Sequence, residues 1–196
     1  MIINSNMLKS KYSDYANINN KIKREIDSKK LYKIVNGIYE TDPYVPAYLL
    51  SGIIYGPSYI SFDYALSYYS IIPERVTTIT CATYNKRKRK MYKTSFGVFT
   101  YQDIPKSVYS KEIILSIEGD YSYQIATLEK AICDKLYSLK PLHNINNLEN
   151  MLFNDLRFDE DEFLKVDINK IEKLSKLYGS TNVKLLLKYL RRMKNE

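Results

Sequence analysis

The dipeptide Gly56-Pro57 breaks the chain, and the stretch around it constrains the fold more than any other. From Tyr55 to Glu74 the residues run Tyr-Gly-Pro-Ser-Tyr-Ile-Ser-Phe-Asp-Tyr-Ala-Leu-Ser-Tyr-Tyr-Ser-Ile-Ile-Pro-Glu. Gly-Pro marks a turn. Tyr59-Ile60 is short and apolar enough for a buried strand. Ser61 is placed to cap a helix through its hydroxyl, and Asp63 in the first turn suits the positive end of the helix dipole. Phe62, Ala65, Leu66 and Tyr69 then recur at helical spacing on one face. Pro73 is expected to close the unit. No catalytic set is visible in the stretch, so its chemistry reads as core.

With 196 residues, 45% of them hydrophobic, the chain has room for one domain or two small ones and a real core. No apolar run approaches the roughly 20 residues of a membrane span. The start of the chain has no signal-peptide pattern, and a cytoplasmic protein without membrane partners is expected. Cys81 and Cys133 lack any CxxC neighbour and read as free buried thiols. Thirty Lys and Arg against 22 Asp and Glu give a net charge of +8. That balance favours a polyanionic partner. The basic residues concentrate at Lys21 to Lys33, Lys86 to Lys90 and Lys184 to Lys194, apart from the acidic run Asp159 to Glu162.

Ile18, Ile22 and Ile26 recur every fourth residue, with Lys21, Lys23, Arg24, Lys29 and Lys30 on the remaining faces. This spacing predicts an amphipathic helix with a basic outer side. Two short β-favouring runs then flank Asn36-Gly37, the pair suited to a type I′ hairpin turn. A basic helix followed directly by a tight hairpin is how a winged helix-turn-helix ends, the helix entering the major groove and the wing lying on the backbone. Lys21, Lys23, Arg24, Lys29, Lys30, Lys33 and Asn36 are the expected DNA contacts. Residues before the helix leave room only for a short leading helix. The expected division is a partial winged-helix domain over 1–45 and a second domain over 46–196.

In the second part, Arg75 to Tyr84 alternates as a strand should, and Met91 to Tyr101 resumes β-like residues. Between them lies Asn85-Lys-Arg-Lys-Arg-Lys90. The pair is read as a long hairpin whose tip carries Lys86, Arg87, Lys88, Arg89 and Lys90. This tip is expected to be either a solvated turn or a surface for a polyanion. Glu112 to Ile117 and Tyr121 to Ala126 read as two further strands. Thr127 caps a helix whose Leu128, Ile132, Leu136 and Leu139 share a face. The remainder is helical: Leu148, Met151, Leu152 and Leu156; then Ile168, Ile171, Leu174 and Leu177, ended by Gly179; then Val183, Leu186, Leu187 and Leu190. The fold class that follows is α+β, a small winged-helix-like unit before a mixed α/β domain with a C-terminal helical region.

Enzyme chemistry finds little support. His143, the one histidine, sits in a Pro- and Asn-rich turn, and the six glycines are scattered singly without a phosphate-binding pattern. Glu129 and Asp134 could suggest a metal pair, but no companion ligands accompany them, and Glu129 is expected to serve the helix start. No cofactor or metal is expected. The rival from the enzyme class is a metal-dependent nuclease built on Asp103, Glu112, Glu118 and Lys130.

Two stretches of wording are distinctive beyond their physics: Tyr55 to Glu74, and Ala126-Thr-Leu-Glu-Lys-Ala-Ile-Cys-Asp-Lys-Leu-Tyr137. With Thr94-Ser-Phe-Gly-Val-Phe-Thr-Tyr101 and the helix–hairpin unit, they make the chain resemble the AbiEi family, the antitoxin half of a bacterial abortive-infection toxin–antitoxin pair. Tyr68-Tyr69-Ser70 stands where that family usually has Tyr-His-Gly. The resemblance implies an N-terminal domain that binds operator DNA and represses its own operon. It also implies a larger second domain that counteracts a nucleotidyltransferase-like toxin, without requiring a stable complex. The alternatives are a stand-alone winged-helix transcriptional regulator and the nuclease named above.

Overall fold

A computed structural model of the chain describes residues 1–195; Glu196, the last residue of the expected second domain, lies outside the described residues. The first part runs β1 (Ile2–Asn4), α1 (Ser5–Lys11), α2 (Ile18–Asp27), β2 (Tyr32–Val35) and β3 (Ile38–Glu40). The three strands form one antiparallel sheet in the order β1-β3-β2. β1 was not legible in the sequence, because three residues show no alternation. Asn4 and Asn17 cap the two helices, accepting from the amides of Met7 and Asn20 at 2.9 and 3.0 Å. Ile22 joins Ile3, Leu8, Tyr12 and Leu31 in a small buried cluster, with Ile18 and Ile26 packed against it. Burial of a side chain such as Leu8 contributes about 1.5–3 kcal/mol.

The hairpin turn is not type I′. Of its two residues only Gly37 has a positive φ, +82°. The register also shifts between Lys33 and Val35, so Ile34 is an extra residue in the strand. The physical reason is packing: the bulge turns Ile34 into the larger core, which Ile2, Val35 and Ile38 also meet. The first unit is therefore seated on the second. Buried Glu40 makes a further joint, accepting from the Tyr121 hydroxyl at 2.9 Å on one oxygen and from the amides of Thr41 and Asp42 on the other.

A 3-10 turn (Ala47–Leu50) leads into α3 (Ser51–Ile54), β4 (Tyr59–Ile60), α4 (Phe62–Tyr68), β5 (Ile79–Thr83), β6 (Lys90–Thr94) and β7 (Gly97–Asp103). Then follow α5 (Lys106–Tyr109), β8 (Ile113–Glu118), β9 (Tyr121–Ala126), α6 (Leu128–Ser138) and α7 (Ile145–Asn150), with a π-helical turn at Met151–Asp155. The chain closes with α8 (Glu160–Leu164), α9 (Ile168–Tyr178) and α10 (Thr181–Asn195). The fold is α+β. The second sheet has six strands in the order β6-β7-β5-β4-β9-β8.

This order corrects the expected long hairpin. β5 pairs with β7 in parallel, and β6 pairs antiparallel with β7 on the outside. The tight turn is Ser95-Phe96, inside the run read as one strand. Thr94 Oγ1 fastens it, accepting from the Phe96 amide and donating to the Gly97 carbonyl, both at 3.1 Å. The basic stretch Asn85–Arg89 is thus a crossover from β5 to the sheet edge, not a hairpin tip. Lys90 already belongs to β6.

The Gly56-Pro57 stretch folds as expected in outline and differs in its caps. An added Cβ at Gly56 would lie 2.9 Å from the Gly52 carbonyl oxygen, so the close approach needs glycine. The Ser61 hydroxyl does not cap α4; it donates to Asp134 Oδ2 at 2.6 Å. Thr80 Oγ1 of β5 takes the capping role, accepting from the Tyr64 amide at 3.0 Å. Nor does Pro73 end the helix. Ser70 does, at φ 58°, with the amides of Ser70 and Ile71 bonded back to the carbonyls of Ser67 and Leu66 at 3.0 Å.

α6 is buried on more than the one face its spacing suggested. Glu129 through Asp134 are all buried, because α4, α9, α10 and β9 surround the helix. In α9, Ile171, Leu174 and Tyr178 face inward while Leu177 is exposed, and Gly179 caps the end in the left-handed region. Cys81 and Cys133 are free and buried, as expected.

Candidate functional site

The exposed cations of the first unit lie on α1, as Lys9 and Lys11, and on α2 with the turn and strand after it. Lys23 and Arg24 are exposed on α2, away from its buried Ile22, and Lys29, Lys30, Lys33 and Asn36 are also exposed. Lys29 holds a left-handed φ of 58°, which ends α2 and lets the amides of Lys30 and Leu31 both reach the Glu25 carbonyl. Lys21 is placed differently. Its ammonium lies 2.6 Å from Glu25 and about 5 Å above the Tyr12 and Tyr15 rings. The hydrogen bond to Glu25 is the main cause of its raised pKa. It is engaged within the unit, so Lys23 and Arg24 are the better-presented pair.

Lys33 and Asn36 do not stand alone. They share a cavity of about 660 Å³ with Ile54 and with Tyr92, Lys93 and Thr94 of β6. Sequence reasoning missed Lys93. Its only signal was a lysine inside a β-like run, which is how natural edge strands are guarded. Since β6 begins at Lys90, the strand runs from the end of the crossover to the cavity that Lys33 lines.

The five crossover cations are not equivalent. Lys86 Nζ donates to the Gly56 carbonyl at 2.9 Å and sits 5.0 Å over the Tyr55 ring. Asn85 and Arg87 both take left-handed φ values, 55° and 57°. The loop is held by Asp103, which accepts from the Arg87 amide at 2.7 Å and from Thr83 Oγ1 at 2.6 Å. Arg87, Lys88 and Arg89 then line a cavity of about 560 Å³ opposite the end of α6 and the start of α10. Arg89 and Lys90 reach a second cavity of about 370 Å³, where Lys135 is paired with Asp63 at 2.5 Å.

The two distinctive stretches meet in the interior. Asp134 Oδ2 accepts from Ser61 Oγ at 2.6 Å and from Tyr59 OH at 2.8 Å, and Oδ1 accepts from Tyr178 OH. Lys130 Nζ lies 3.5 Å from the same carboxylate and donates to the Val108 carbonyl at 2.9 Å and the Tyr178 hydroxyl at 2.8 Å. Both charges are fully buried. Desolvation lowers the Lys130 pKa, against the pull of Asp134, and burial raises those of Tyr59 and Tyr178. Tyr69 adds a link from the first stretch to the second, donating to the Ala126 carbonyl at 2.8 Å. These buried bonds tie β4, α6 and α9 together.

The four residues of the nuclease rival are not gathered. Asp103 is tied to the crossover, Glu118 accepts from Tyr48 OH at 2.6 Å, Glu112 faces Lys170 at 3.6 Å, and Lys130 is in the buried network. Glu129 turns from its own helix start to the Asp167 amide at 3.2 Å and to Lys170 at 3.5 Å. His143 is exposed in a loop. Among the described residues no group of three His, Cys, Asp or Glu side chains could hold a metal ion, and no helix is long and apolar enough to cross a membrane. No protein-family model matches the chain, and no curated protein does.

Proposed function

We propose that the chain is an AbiEi-type antitoxin and autorepressor: a cytoplasmic, non-enzymatic protein that binds operator DNA of its own operon and counteracts a nucleotidyltransferase-like toxin. The observation that carries the DNA-binding half is the order of the first unit. A strand, two helices and a hairpin, with β1 beside β3, is the connectivity a winged helix-turn-helix requires after its leading helix. In this reading α2 enters the major groove with Lys23 and Arg24 foremost. Lys29, Lys30, Lys33 and Asn36 contact the phosphates, Lys93 extends the interface onto β6, and Lys21 supports the helix from Glu25.

The antitoxin half rests on the resemblance in the two stretches that meet at Asp134, with the crossover cations Lys86 to Lys90 as its anion-facing surface. The test separates the halves. Lys23→Ala with Arg24→Ala should abolish binding to the promoter DNA and flatten the salt dependence, by about 0.9 in log–log slope for each phosphate no longer neutralised. The same variant should still protect cells from the neighbouring toxin. Unchanged affinity and slope in the folded variant would remove α2 from the interface. Promoter binding without any protection by the wild-type chain would instead favour the stand-alone regulator.

A further inference from the structure

The cavity between the crossover and α10 is lined on one side by consecutive cations. Its volume, about 560 Å³, is that of a small-ligand site. Arg87, Lys88 and Arg89 form one wall, and among the described residues none of their side chains has an ion-pair partner. The one acid in the lining, Asp103, spends both oxygens on Thr83 Oγ1 and the Arg87 amide, so it fixes the loop and leaves the guanidinium free. The opposite wall offers the Ser180 and Thr181 hydroxyls and, beside them, the Tyr137 ring, 38% exposed, next to Leu139. Three neighbouring cations lining one cavity cost self-repulsion that a multiply charged anion relieves. Arginine forks match phosphate oxygens in pairs, and the exposed part of the Tyr137 ring, which packs on Tyr178 at 5.8 Å, is a surface for a base.

We propose that this cavity binds the phosphate group of a nucleotide, with Arg87, Lys88 and Arg89 on the phosphate and Tyr137 against the base. The proposal deepens the reading of the crossover as the anion-facing surface of the antitoxin, and its biological use rests on that reading; the binding itself does not. Two sources share the chemistry: a free nucleotide, and the 5′-phosphate end of a nucleic-acid strand.

Calorimetric titration of the full chain distinguishes them. The probes are ATP, tripolyphosphate, and one short single-stranded oligonucleotide carrying either a 5′-phosphate or a 5′-hydroxyl. Saturable binding of ATP or of the 5′-phosphorylated strand is expected, weakened at least about tenfold by Arg87→Ser with Arg89→Ser. The variant's denaturation midpoint confirms that it is folded. Binding of ATP identifies the free nucleotide as the source, and binding of the phosphorylated strand alone identifies the strand end. Tyr137→Ala should weaken ATP and leave tripolyphosphate unchanged; an equal loss for both would overturn the place given to the base. The site itself is overturned if no phosphate probe binds, if the double variant binds as well as wild type, or if ATP fails to bind and strand binding ignores the 5′-phosphate. Protection against the toxin is scored separately. A variant that loses nucleotide but protects normally would overturn the antitoxin role of the crossover while leaving the site standing. A site that fails while the same variant loses protection would leave that role intact.

Discussion

The buried network around Asp134 and the crossover at Lys86 to Lys90 use charge in opposite ways. In the first, one lysine and one aspartate are fully buried and every polar atom has a partner. In the second, three cations lie exposed beside a cavity with no ion pair. The most distinctive wording in the chain supplies the first set, and plain-looking lysines and arginines supply the second. Distinctive wording here marks the interior joint that makes the fold unique. In the proposed reading, binding chemistry is left to surface residues whose meaning depends on what the fold brings opposite them.

The largest expected effect breaks the first region. Asp134→Ala leaves Lys130 without its counter-charge and strips acceptors from Tyr59, Ser61 and Tyr178. Loss of one partner of a buried pair costs about 3–5 kcal/mol. Lys130→Met should cost less, about 1–3 kcal/mol, since Asp134 keeps three hydroxyl donors. Denaturant unfolding followed by circular dichroism measures both. Near-equal, sub-kilocalorie losses would mean that the network is not the joint between β4, α6 and α9.

Part of this contrast was readable in the sequence. The isoleucine spacing of α2, the helix from Thr127, the β8–β9 hairpin and the Gly179 cap all follow from local periodicity and turn chemistry, and the structure has them. Partners far apart in sequence were not readable. Ser61 looks like a helix cap until Asp134, 73 residues later, claims its hydroxyl. The crossover looks like a hairpin tip until β7 inserts itself between β5 and β6, a choice made by long-range pairing. Lys93 joins Lys33 only because the bulge at Ile34 seats the first unit on β6. Lys21 looked as free as Lys23, because the spacing to Glu25 was visible but the Tyr12 and Tyr15 rings beneath it were not.

Glu40 lies between the two extremes: a buried carboxylate at the seam of the two units. Burial is the largest influence and opposes its charge. The Met1 ammonium, the Asp42 amide, the Tyr121 hydroxyl and the Thr41 amide together outweigh it and hold the pKa below the ordinary value. A carboxylate with a lowered folded pKa stabilises the fold above the unfolded value of about 4.3. That contribution is lost as pH falls through the folded value. Glu40→Gln should therefore cost about 1–3 kcal/mol near neutrality. The gap to wild type should close on acidification below about pH 4. A gap independent of pH would show that Glu40 acts by shape alone.

A smaller effect is expected at Ser70, a serine held in the left-handed region. Its φ of 58° is a conformation glycine adopts without penalty. Ser70→Gly should raise stability by about 0.5–1 kcal/mol, with the same back-bonded end to α4. A loss instead would mean that the left-handed turn is held by something other than backbone preference.

The smallest effect on stability is expected where the effect on binding is largest. Replacing Arg87, Lys88 and Arg89 together by Ser removes no side-chain ion pair from the described residues, and the loop stays anchored through Lys86 on Gly56 and the Arg87 amide on Asp103. The unfolding midpoint should stay at the wild-type value, or rise slightly as like charges are removed. Both of the anchors that set the loop conformation use atoms this variant retains. A clear fall in midpoint would mean that these three side chains pack as part of the fold, and the contrast with the Asp134 network would collapse. An unchanged midpoint together with lost nucleotide binding would complete it, with one charged region spent on the fold and the other kept for a ligand.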